Sequence, residues 1–149
     1  MRFSQLFPIL LFATITFACN GQTNQTNDPV VFREAADPEL EAAKQEALSK
    51  LEYFITSFNQ HPEDSTLQFS LKTDFVENGE HEHMWIGLTQ INNGKFIGVL
   101  RNDPQLIQSF QYGDKVEITK EQIEDWIIYH ADTDSLEGGF SIKILQSRE

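Results

Sequence analysis

Cysteine is nearly absent from this chain: one occurs in 149 residues, at position 19. No disulfide can form within the chain, so its core must hold by packing alone. Positive charge is scarce as well, with 11 Lys and Arg against 23 Asp and Glu and a net charge of −12. So acidic a surface repels polynucleotides and anionic lipid headgroups, which argues against nucleic acid as a partner. Long apolar runs are missing too. The stretch from Leu6 to Ala18 is well short of the ~20 residues that cross a bilayer as a helix, and Pro8 interrupts it. Familiar catalytic patterns are also lacking. There is no Gly-x-Ser-x-Gly elbow, and Gly138-Gly139 has neither the spacing nor the Lys-Ser/Thr ending of a phosphate loop. Nothing in the sequence implies a cofactor.

What is present begins with Arg2, the apolar run to Ala18, then Cys19 and the polar segment Asn20 to Asn27. This is the order of an export signal. Two cleavage readings compete. A lipoprotein peptidase would cut before Cys19 and leave it lipidated, holding the protein on a membrane of the bacterial cell envelope. Ordinary signal peptidase would instead cut after Ala18, using Thr16 and Ala18 as its small-residue pair, and leave a soluble secreted or periplasmic protein. The lone Cys19 sits where a thioether forms, which favours lipidation, although Thr16 and Phe17 depart from the usual lipobox. Without Arg2 the exported chain carries ten basic and 23 acidic residues, a charge of −13. The expected division is a signal at 1–18, a lipidated cysteine and flexible tether at 19–36, and one α+β domain at 37–149.

Within that domain, Asp37-Pro38-Glu39 reads as a capped helix start. Leu40, Ala43, Ala47, Leu48, Leu51, Phe54, Ile55 and Phe58 continue at helical spacing, which predicts one amphipathic helix to about Asn59. Leu67 to Phe75 alternates as a half-buried strand. His83 to Ile91 and Phe96 to Leu100 form a hairpin about Asn93-Gly94. A two-residue loop there would set Ile91 against Phe96, Thr89 against Gly98 and Leu88 against Val99. Met84, Ile86, Leu88, Ile97 and Val99 would then face the core. Asp103-Pro104 predicts a short helix over 104–110, and Lys115 to Thr119 a strand. Thr119 with Gln122 suits a capping box, so 120–125 could begin helically; 126–129 reads as a strand. A last short element covers Phe140 to Leu145. The expected architecture is an N-terminal amphipathic helix packed on a curved, mostly antiparallel sheet with one or two short helices.

Several short motifs occur in a characteristic order: Glu82-His83-Met84-Trp85, then Gly94, Phe96 and Gly98, Asn102 and Pro104, Gly113-Asp114, Asp125-Trp126 and Gly138-Gly139. Together, over 47–145, they resemble the YegJ-like family of bacterial domains of unknown function (DUF 2314). The resemblance implies no activity, substrate or catalytic residue. Where such domains commonly end in Gly-Gly-aromatic-Thr, this chain has Gly138-Gly139-Phe140-Ser141, which keeps the hydroxyl.

Two constellations could carry chemistry. Period-2 geometry puts His81 and His83 on one strand face, a spacing suited to a divalent metal, but the third ligand that zinc needs is missing, and a charged strand start is the reading preferred to a metal. The second gathers His83 and Trp85, the clearing left by Gly87 and Gly98, Asn102, and Asp125 with Trp126. A carboxylate near His83 could orient it as an acid or base; equally, the tryptophans could be packing and the glycines bends. The leading expectation is a non-catalytic binding module for a peptide, protein or envelope component. The rival is a hydrolase-like envelope enzyme using His83 with Asp125, or a metal at His81 and His83.

Overall fold

The computed structural model describes residues 37–149. The expected signal segment, Cys19 and the tether all lie outside the described residues. Asp37, in extended conformation, accepts from the amides of Glu39 and Leu40 and so caps α1 (Pro38–Ser49). The helix expected to run to Asn59 is two helices. Ser49 turns its hydroxyl back onto the Glu46 carbonyl, and at Lys50 φ −107° and ψ 4° leave the helix before α2 (Leu51–Gln60) resumes. Spacing conceals the break, because Ala43, Ala47, Leu51 and Phe54 keep helical intervals across it and all four are buried.

Six strands follow in one open antiparallel sheet: β1 (Leu67–Glu77), β2 (Glu80–Asn92), β3 (Lys95–Leu100), β4 (Lys115–Thr119), β5 (Ile123–His130) and β6 (Ser135–Gly138). Their spatial order is β4-β3-β2-β1-β5-β6, and α3 (Phe140–Gln146) closes the fold. The chain passes from β4 to β5 through one 3₁₀ turn, Lys120–Gln122, held by the Thr119/Gln122 capping box. Four residue steps reach about 14 Å. In a flat sheet, four strand intervals would separate β4 from β5 by about 19 Å. The sheet must therefore curl, and its concave side holds the core.

Phe69, Leu71, Thr73 and Phe75 of β1 and Glu82, Met84, Ile86 and Leu88 of β2 face that core, with Phe54 of α2 packed edge-on to Phe69 at 5.6 Å between ring centres. Asn93 (φ 50°) and Gly94 (φ 76°) supply the left-handed pair of the type I′ turn. Ile91 faces Phe96 as expected, but a bulge between Leu88 and Gln90 then shifts the register. Leu88 pairs with Gly98 and Gly87 with Val99. Because one residue of slip exchanges faces, Phe96, Gly98 and Leu100 are buried with Leu88, whereas Ile97 and Val99, expected in the core, are half-buried on the other side. A Cβ on Gly98 would lie 2.4 Å from the Gly87 carbonyl oxygen, so this close strand approach admits only glycine there.

The helix expected over 104–110 does not form. Glu82, 4% exposed, takes the amides of Gln105, Leu106 and Ile107 on its carboxylate at 2.8 to 3.1 Å, and Glu77 takes that of Gln108. These strand carboxylates satisfy the backbone in irregular form and pull Ile107 and Phe110 over the core, Phe110 against Phe75.

Candidate functional site

Cross-strand register decides which of the expected site residues meet. Trp85, Lys72 and Asp125 occupy one row across β2, β1 and β5, and His83 lies opposite Asp74 in the next. His83, Trp85 and Asp125 thus share the face away from the core. His83 and Asp125 are not bonded to each other, however. A bulge between Lys72 and Thr73 leaves Glu124 without a pairing partner, and its Oε2 meets His83 Nδ1 at 2.6 Å while Oε1 meets Lys44 Nζ at 3.4 Å. Glu124 holds the His83 pKa above its usual value, against the opposing effect of burial. Burial would raise Glu124, but His83 and Lys44 together bring it below the usual range.

Asp125 is fully buried and serves α3. Gly139, the left-handed residue that starts this helix, has no side chain to cap it. Asp125 supplies the cap from β5, accepting from the amides of Phe140 (3.2 Å) and Ser141 (2.8 Å), the Ser141 hydroxyl (2.7 Å) and its neighbour's amide, Trp126 N (2.8 Å). Lys72 Nζ reaches the same serine at 3.3 Å; burial lowers its pKa, with Glu124 and Asp125 opposing. Asn102 is likewise structural, its Oδ1 accepting from Trp85 N at 2.6 Å where the β3 ladder has ended.

Gly87 and Gly98 do not form a clearing. The bulge puts them on opposite faces, and Arg101, which sequence reasoning passed over, fills the space beside Gly87; a Cβ there would lie 2.5 Å from Arg101 Nε. His81 spends Nδ1 on Asp74 at 2.6 Å, as His83 does on Glu124. Among the described residues, no three His, Cys, Asp or Glu side chains converge as metal ligands. Cys19 lies outside the described residues, and none of the described helices is long and apolar enough to cross a membrane.

Trp126, grouped with Trp85 as a candidate surface but with core packing as the alternative, is in the core at 3% exposure. Its Nε1 donates to the Ala47 carbonyl at 2.9 Å, and its ring packs on Phe54 and Phe140. One side of it floors a cleft of about 460 Å³ between the α1–α2 junction and the β6–α3 corner, lined by Ser49, Lys50, Tyr53, Glu137, Gly138, Phe140 and Lys143. Gly138 (φ 79°) makes room for the indole: a Cβ there would lie 2.6 Å from the ring. Tyr53, 53% exposed, stands over Trp126 at 6.2 Å and donates to Glu137 at 2.7 Å; His130 holds the other Glu137 oxygen at 2.6 Å. Lys50 and Lys143 lie 5.0 and 5.3 Å from the centre of the Phe140 ring. Sequence reading singled out Trp126 but not the rest of this cleft, because Lys50 and Tyr53 read as the solvated face of one continuous helix.

Comparison with known proteins agrees with the ordered motifs. An uncharacterized protein, YegJ, of Escherichia coli (strain K12) is 29% identical over 134 residues, covering 90% of this chain and 84% of its own. A putative ankyrin repeat protein of Neisseria meningitidis serogroup B is 26% identical over 126 residues, covering 80% of this chain but 49% of that protein. No solved structure matches. Residues 37–148 match the family described as uncharacterized protein conserved in bacteria (DUF2314), and the chain belongs to it.

Proposed function

We propose that the protein is a non-catalytic binding module of the bacterial cell envelope, tethered through lipid on Cys19, with the cleft over Trp126 and Phe140 as its ligand site. One observation carries this reading: the open cleft sets Lys50, Tyr53 and Lys143 beside the Trp126 and Phe140 rings, so that a polar and an apolar group of one ligand can be met together. The motif acids support it from the other side. Glu82 and Asp125 hold the 105–107 loop and the start of α3, which gives both acids a structural role. The test is retention of envelope components by Tyr53→Ala and Lys143→Glu against His83→Ala and Trp85→Ala, all still folded. Loss confined to the first pair supports the cleft. Loss confined to the second moves binding to the exposed face of the sheet.

An enzymatic reading has one specific support. Glu124, not Asp125, orients His83 as a carboxylate orients a general base. Against it, no serine or threonine hydroxyl bonds His83 among the described residues. Hydrolysis of model esters or peptides by the protein, abolished in His83→Gln, would favour that reading over binding.

A further inference from the structure

We infer that the cleft takes a ligand bearing a carboxylate next to an apolar group, as found at a peptide C-terminus or in a small aryl or alkyl acid. The inference rests on the cleft being a ligand site and names what enters it. In a chain of net charge −12, the lining residues carry two cations, Lys50 and Lys143, and one anion, Glu137. Glu46, outside the lining, pairs with Lys50, so Lys143 is the cation that no carboxylate meets among the described residues. Both ammonium groups lie about 5 Å from one ring centre, so they are no farther apart than those two distances together. An anion over that ring can therefore reach either ammonium group.

The one carboxylate in the lining does not fill that role. Glu137 has one oxygen on the Tyr53 hydroxyl and the other on His130. The Tyr53 bond foremost, opposed by burial and aided by His130, takes its pKa below the usual range, so it remains charged but engaged. Lys143 has no hydrogen bond or ion pair among the described residues, only the face of Phe140. Lys50 also meets Glu46 at 2.7 Å, an exposed pair one helical turn apart and readily exchanged. Below the charges, Trp126 and Phe140 offer an apolar floor for whatever the carboxylate is attached to. Lys143 is thus the group placed to meet a carboxylate at the edge of that floor.

The experiment is amide and indole NMR of the ¹⁵N-labelled protein titrated with three probes: N-acetyl-Ala-Ala-Phe with a free carboxylate, the same peptide as its C-terminal amide, and 3-phenylpropionate. The free acids should shift Gly138, Phe140, Lys143 and the Trp126 indole N–H in a saturable way. The amide should bind at least about tenfold more weakly. Lys143→Gln should weaken the acids by about tenfold and Lys143→Arg should restore them. An unchanged Trp126 indole signal in the free variants establishes that the cleft is intact. Tighter binding of the peptide acid than of 3-phenylpropionate identifies a chain terminus as the source; the reverse identifies a small acid. Equal binding of acid and amide overturns the carboxylate inference and leaves the cleft as a ligand site. No shift with any probe overturns both.

Discussion

His83 is the residue in which local chemistry and function are hardest to separate. Its Nδ1 contact with Glu124 joins β2 to the bulge of β5, and Lys44 ties the same carboxylate to α1. A raised histidine contributes stability that is complete below its ordinary value of 6.5 and lost as pH rises through the raised one. Lowered Glu124 contributes above 4.5 and loses that contribution as pH falls through its depressed value. The pair therefore stabilises most between pH 4.5 and 6.5. His83→Gln should cost no more than about 1 kcal/mol there, because the side chain is 49% exposed and solvent screens it. The difference in urea midpoint from the parent should shrink on either side of that window. A difference independent of pH would mean that His83 acts by packing alone.

At the level of elements, the motifs that mark the family explain the fold more than the site. Glu82 replaces a helix with a clamped loop, and Asp125 starts a helix that its own first residue cannot cap. Glu82→Gln would set an amide NH₂ against backbone N–H groups. It should cost about 2 kcal/mol and speed hydrogen exchange at residues 105–107 before elsewhere. Unchanged exchange there would show that apolar packing of Ile107 and Phe110 holds the loop. Strands β1 to β4, the Asn93-Gly94 turn and the Asp37 cap were legible in the sequence because each rests on local chemistry, namely alternation, left-handed φ and a side-chain oxygen one turn away. Strand β6 and the start of β5 were not expected. The missed features depend on distant partners. Nothing near Pro104 announces that Glu82 will take its amides, and nothing near Leu88 announces a bulge. The pairing of His83 with Glu124 rather than Asp125 follows from a second bulge, a single-residue event in β5. The cleft escaped notice for the same reason, since its lining comes from α1, α2, β5, β6 and α3.

For the whole molecule, we propose an acidic domain held by a tether to an envelope surface. Cys19→Ser should move the protein from the membrane fraction to the soluble fraction if the sulfur carries lipid. An unchanged soluble distribution for both forms would leave export without an anchor. We propose that ligands enter at the cleft, to which the motifs contribute Trp126 and Gly138, while Glu82 and Asp125 hold the scaffold. The most direct test replaces Tyr53, in the cleft, or Trp85, on the exposed sheet face, with the photo-crosslinker p-benzoylphenylalanine and irradiates cells producing each form. The account predicts a discrete adduct from position 53, diminished by Lys143→Gln, and none from position 85. Adducts from position 85 alone would contradict it.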